Sequence, residues 1–314
     1  MEAPRLDQKA LAAGFCDLLL DADPEDSPTP NAAERFIVSE LERLLGEDVP
    51  DETIPRLPEV AATLMRELAD PDISQQRILL HVNRDPAIAA EVLRMANSPL
   101  YRVGGDPIEN LDAALRLLGL NRLKGLVSSV LMKPMLDIRP IYFRLFGQNL
   151  WQHSLDCAEA CQTLAMRMGH GNPFNAYLVG LIHDIGKLVI FRLLVESFRR
   201  VDPNVQPRGV VFSGIVRDKS ARLSYHIVSQ WSLADYLTTA LDEQTPGHLG
   251  SIRSEYGEIL HQANMLAEFK LLAERRVRRP EDFRELLEQF QVSEVFFQAI
   301  FPKSAEKLLA LPEG

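Results

Sequence analysis

Cysteine is scarce in this 314-residue sequence: there are three, Cys16, Cys157 and Cys161. None forms a C-x-x-C pair, so no zinc-ligand spacing is present. Nothing points to an oxidising compartment. Cys157 and Cys161 stand four apart among Leu and Ala residues and read as packed free thiols. Positive charge is also in deficit. The chain has 34 Lys+Arg against 44 Asp+Glu, a net charge of −10. That argues against broad electrostatic binding to nucleic acid, and no direct DNA binding is expected. A small phosphate pocket remains compatible with it.

Long hydrophobic runs are lacking too. The longest, Tyr177 to Phe191, is interrupted by His183, Asp184 and Lys187. It is shorter than the roughly 20 residues of a membrane helix. The opening residues, Met1 to Asp7, are acidic where a signal peptide would be basic. The expectation is a cytoplasmic protein with no membrane contact. Alternating β patterns are sparse and no fixed-period repeat occurs, so the chain reads as all-α.

Charge is unevenly placed. Residues 1–50 hold twelve acids and four bases, which is −8 of the total −10. They read as a separable acidic helical module. Asn31 stands three before Glu34, a capping-box start. From Ile54 the texture changes. Ile54-Pro55-Arg56-Leu57-Pro58 is an extended entry, because a residue before proline avoids the helical region. Asp85-Pro86 and Asn172-Pro173 are helix starts. Asn121 is a further candidate cap, one helix is expected over Tyr177–Phe191, and another over Ala221–Leu241. The run Arg275-Arg276-Val277-Arg278-Arg279 reads either as dipole-matched charge at a helix end or as a partner contact.

The chemistry sits in Leu181-Ile182-His183-Asp184-Ile185-Gly186-Lys187. Charge inside an apolar helix must pair, hydrogen-bond or bind a metal. Gly180 and Gly186 weaken a helix, which is tolerable where another backbone comes close. Adjacent His183 and Asp184 can offer a nitrogen and an oxygen to one ion, and His153 lies on the core-facing stripe of its helix. A divalent ion there would lower the pKa of bound water. The plainer alternative makes both histidines satisfied core residues. Lys187 reads either as an ion pair with Asp184 or as a phosphate contact.

These residues carry a resemblance. Leu181 to Lys187, preceded by Trp151-Gln152-His153-Ser154, resembles the HD superfamily of metal-dependent phosphohydrolases. More narrowly, the order Ile54 to Pro58, Asp85-Pro86, Ala96-Asn97-Ser98-Pro99-Leu100-Tyr101 and Leu117-Leu118-Gly119 is similar to the HDOD group, HD-related output domains of bacterial signalling proteins. The resemblance implies a two-lobed helical domain over residues 54–272, with an N-terminal lobe at 54–130 and an HD-like lobe at 145–272. Residues 273–314 would form a C-terminal helical extension.

It also implies a regulatory, non-catalytic output domain that binds a partner signalling protein or a nucleotide-like ligand such as a cyclic dinucleotide. The alternative is an active metal-dependent phosphohydrolase acting on a nucleotide or cyclic nucleotide. The implied metal set is His153, His183, Asp184 and Asn264, holding Fe, Mn or Mg. Lys187 is the implied ligand contact. The set is degenerate, because Asn264 stands where an HD site carries its last aspartate. The expected ligand position is the crevice between the lobes.

Overall fold

The protein is described from a computed structural model covering residues 8–46, 49–50, 54–101, 107–136, 143, 145–201, 207–276, 279–290 and 292–310. Among these residues every regular element is helical. Two helices lead: α1 (Gln8–Leu19) and α2 (Ala32–Leu44). Five follow: α3 (Glu59–Ala69), α4 (Gln75–Asn83), α5 (Pro86–Ala96), α6 (Leu111–Leu118) and α7 (Leu120–Leu136). The second half holds α8 (Phe146–Met168), α9 (Pro173–Ile182), α10 (Ile185–Val201), α11 (Gly209–Gln230), α12 (Asp235–Asp242) and α13 (Glu255–Arg276). Three helices close the described chain: α14 (Pro280–Gln289), α15 (Glu294–Ile300) and α16 (Pro302–Leu309).

Local chemistry sets several of these boundaries. Asn31 and Glu34 make the reciprocal capping box of α2, at 2.9 Å in each direction. Asp85 accepts from the amides of Ala87 and Ile88 ahead of α5, and Asn172 does the same for α9 at Phe174 and Asn175. Both caps are followed by proline, whose missing N–H costs nothing at the first helical position. Asn121 is not a cap, because α7 starts at Leu120; Asn110 caps the preceding helix through the Ala113 amide. The expected 221–241 helix is two. α11 starts earlier, at Gly209, and the chain breaks between Gln230 and Asp235, where Ser232 has a φ of 49°.

The core is built around α8, which packs on α9 and α13. α8 and α9 come close at Gly180, where a Cβ would stand 2.7 Å from Ala158 Cα. A buried polar chain joins the halves: Tyr101 Oη lies 3.0 Å from Tyr177 Oη, which lies 2.7 Å from Ser129 Oγ. The Trp231 indole donates to the Pro55 carbonyl at 2.8 Å, anchoring the extended entry. Arg192 reaches the Met135 carbonyl at 2.8 Å, which ties α10 to the end of α7. The lobe join expected between Val130 and Phe146 lies partly outside the described residues. All three cysteines are buried and free.

The acidic N-terminal segment does not stand apart. α1 packs against α13, α11 and α8, and α2 packs against α10 and α11. Leu11, Phe15, Leu20, Ile37 and Leu41 are fully buried. All but one of the described acids there are exposed or half-buried, while the apolar inner face is covered, so the net charge said nothing about attachment. One acid points inward. Glu34 is buried under Arg208, which also donates to the Ser27 and Thr29 carbonyls at 3.0 Å each.

Two outcomes test this packing. Gly180→Ala should destabilise the chain in urea melts although alanine favours a helix by about 1 kcal/mol, because overpacking costs about 1–3 kcal/mol. A chain shortened to begin at residue 54 should aggregate or melt far below the full chain, since it exposes the surface that Leu11, Phe15 and Ile37 cover. An unchanged melting curve would refute the second.

Candidate functional site

The Tyr177–Phe191 run is not one helix. α9 ends at Ile182 and α10 begins at Ile185, so His183 and Asp184 occupy a turn between them. The break goes with a tertiary contact. The Gly186 amide donates to Ser224 Oγ at 2.9 Å. α11 can come that close because residue 186 has no Cβ; one would lie 2.2 Å from the Ser220 carbonyl oxygen. Successive helical residues point about 100° apart, so relief from strict helix geometry lets neighbouring side chains serve one centre.

Four side-chain atoms converge there. His153 Nε2 of α8 lies 3.3 Å from His183 Nε2 and 3.2 Å from Asp184 Oδ2. His183 Nε2 is 3.4 Å from Asp184 Oδ2. Asn264 Oδ1 of α13 is 3.0 Å from His153 Nε2 and 2.9 Å from His183 Nε2. Ligand atoms held about 2.0–2.2 Å from one ion stand roughly 3.0–3.4 Å apart. His153, His183 and Asp184 form the group of potential metal donors found among the described residues, and all three are buried.

The hydrogen-bonding pattern suits a cation. His183 Nδ1 faces the Gly180 carbonyl at 2.7 Å, and a carbonyl only accepts, so Nδ1 carries the proton. His183 Nε2 faces the oxygens of Asn264 and Asp184 and donates to them when protonated; once that proton leaves, its lone pair is free for an ion. Asp184 Oδ1 is bound by Lys187, while Oδ2 is buried with no aligned hydrogen bond. Converging acceptors and an orphaned carboxylate oxygen fit a divalent ion held by these residues.

The charges of the cluster are coupled, and an ion would take the place of the His183 Nε2 proton. Burial alone would raise the Asp184 carboxyl, but His183, Lys187 and His153 hold it well below the usual range. Burial lowers His153 to about 4 despite Asp184 beside it. His183 experiences the same burial, yet the charge of Asp184 carries it up to about 9. Lys187 stays above its ordinary value because Asp184 outweighs its burial.

Two participants carry no signal in the motif. Phe15 of α1 covers His153, with ring centroids 4.3 Å apart, and the Lys187 ammonium sits 5.3 Å from the Phe15 centroid. Glu268, one turn beyond Asn264, accepts from Asn264 Nδ2 at 3.3 Å. Its carboxyl is pushed up to about 7 by burial, against the pull of Lys187. The i,i+4 spacing from Asn264 in an apolar stretch was the one available hint of Glu268. For Phe15 there was only the helical stripe.

A cavity of about 780 Å³ opens onto the cluster, lined by His183, Asp184, Lys187, Asn264 and Glu268, with Lys9 of α1 and Arg217 of α11 nearer its wall. It is not the crevice between the lobes. That crevice, about 640 Å³, meets α8 at Trp151, Gln152, Asp156 and Glu159. The two share no lining residue; in the crevice Asp156 pairs with Lys270 of α13 at 2.7 Å. No described helix is long and apolar enough to cross a membrane.

Asp184→Ala should cost about 3–5 kcal/mol, because it strands the buried Lys187 charge. Thermal unfolding measures this, and a wild-type melting temperature would contradict the paired geometry.

The fold recurs in solved structures. An HDOD domain protein of unknown function from Geobacter sulfurreducens superposes with a TM-score of 0.57 at 20% identity, covering 88% of this chain and 95% of that one. A protein from Shewanella amazonensis SB2B, provisionally named a metal-dependent phosphohydrolase, gives 0.58 at 22%, covering 89% and 99%. One from Marinobacter aquaeolei VT8, provisionally named a signal transduction protein, gives 0.54 at 19%, covering 93% and 66%. By sequence, an uncharacterized protein of Treponema pallidum (strain Nichols) is 22% identical over 193 residues. That stretch is 58% of this chain but 36% of that protein. The HDOD domain family matches residues 54–246, well over half the chain, and the protein belongs to that family.

Proposed function

We propose that this HDOD protein is a non-catalytic signal-transduction output domain of the cytoplasm, holding a partner signalling protein or a nucleotide-like ligand. His153, His183, Asp184 and Asn264 would hold a divalent ion, Fe, Mn or Mg. The observation that carries the reading is Asn264. Its neutral amide oxygen closes the His-His-Asp cluster at 2.9–3.0 Å from both histidines, where a working HD site carries a carboxylate. A bound ion would supply Lewis acidity toward an anionic oxygen. With one carboxylate ligand instead of two, hard-cation affinity falls. His153 is sealed behind Phe15 and fully buried, so a ligand approaches from the α11 and α13 side. Lys187 is held by Asp184 and orients that carboxylate, while Lys9 offers an anion a cation at the cavity wall, where Arg217 is paired with Asp218.

A second reading, a phosphohydrolase acting on a nucleotide or cyclic nucleotide, is favoured by one observation: the three-residue donor group is complete in space. One assay separates the two. Purified protein is given manganese or iron and a panel of nucleoside phosphates and cyclic dinucleotides. The expected result is no turnover above buffer, with calorimetric binding of at least one panel member or of a partner. Robust hydrolysis that disappears in His183→Ala, with helicity retained, would make the protein an enzyme.

A further inference from the structure

Resting on the metal-site reading above, we infer that Asn264 and Glu268 together replace one carboxylate ligand: Glu268 holds the Asn264 amide with its oxygen inward. Glu268 is a positioning residue, acting through Asn264. It does not join the His153, His183 and Asp184 group whose donor atoms all lie within 4.8 Å of one another.

The argument begins with helix geometry. Residues four apart on α13 share a face, and both side chains point to the cavity. An ionised carboxylate has no proton to give and only accepts. Facing Asn264 at 3.3 Å, it therefore selects the amide nitrogen. The amide oxygen is then turned to the two Nε2 atoms, at 3.0 and 2.9 Å. The carboxylate thus backs the oxygen-inward amide from behind, on the side away from the histidines.

The same contact strengthens the oxygen as a donor. Hydrogen bonds in a chain polarise one another, and N–H donation to a carboxylate moves electron density onto the amide oxygen. Outer carboxylates tune ligating histidines in the same way. Glu268 is 2% exposed, so water does not compete for its contact with the amide.

The test is Mn²⁺ binding followed by electron paramagnetic resonance of the free ion, on the full chain in mildly alkaline buffer, with circular dichroism as the fold control. Wild type should bind one ion. Glu268→Gln should weaken binding roughly 10–100-fold, the range for losing an outer partner of a ligand. The double variant Asn264→Asp with Glu268→Gln should recover it, since the carboxylate then sits at the ligand position and the new amide supports it. A merely structural role for Glu268 would not give that rescue. Glu268→Gln binding as tightly as wild type, or a folded double variant that stays weak, overturns the inference and leaves the metal site standing. Wild type that binds no Mn²⁺, indistinguishable from His183→Ala, removes the metal site and this inference together. Should Glu268→Gln fail to fold, Glu268→Asp keeps the charge and withdraws it from the amide; unweakened binding there is equally fatal.

Discussion

Charge and lone pairs buried in an apolar interior govern this structure. Asp184 is placed where burial would protonate it, and only Lys187, His183 and His153 keep it ionised. Each of those groups must in turn be held. Lys187 is bound to Asp184, His183 to the Gly180 carbonyl, and His153 is packed by Phe15. Stranding any one would leave a buried charge without a partner, which is far costlier than the pair is worth. The close backbone approaches at Gly180 and Gly186 follow from the same need, because they bring α8 and α11 near enough to enclose the turn between α9 and α10.

The N-terminal helices belong to this enclosure. α1 lies outside the family-matched stretch, yet it supplies Phe15 over His153 and Lys9 at the cavity wall. An HD-type lobe without it would expose His153 to solvent. The Arg208 contacts to Glu34, Ser27 and Thr29 hold the joint between α1 and α2 against α11. The enclosing helix thus also narrows the route to the cluster, which concentrates any ligand selectivity on the α11 and α13 side. The contrast with the crevice between the lobes is instructive. α8 keeps His153 buried behind Phe15 and gives Asp156 and Glu159 to the crevice, which shares no lining residue with the cavity at the cluster.

Much of this was legible from residue types. The alternation of caps, prolines and apolar stripes at helical spacing is a local property, and it placed α2, α5 and α9 at their capping residues. The His183-Asp184 pair, Lys187 and the core-facing His153 were legible for a similar reason: polar groups in an apolar run must be compensated, whatever surrounds them. Family membership rested on ordered short motifs, which are likewise read along the chain. Asn264 in place of an acid was visible as a departure from that order.

What the sequence could not state was which surfaces face each other. The −8 charge of residues 1–50 suggested a separate body, because charge counts do not record that one face of α1 is apolar and covered. The turn at His183 depends on Ser224, 38 residues away, capturing the Gly186 amide; no window of local sequence contains both. Glu268 was an ordinary helical acid until α13 packed with that face toward the cluster. Periodicity determined an all-helical chain, and the ordered motifs marked an HDOD domain with a His-Asp pair in an apolar run. Tertiary packing alone decided what enclosed the cluster and which side chains of α13 reached it, because both rest on contacts between helices far apart in the chain.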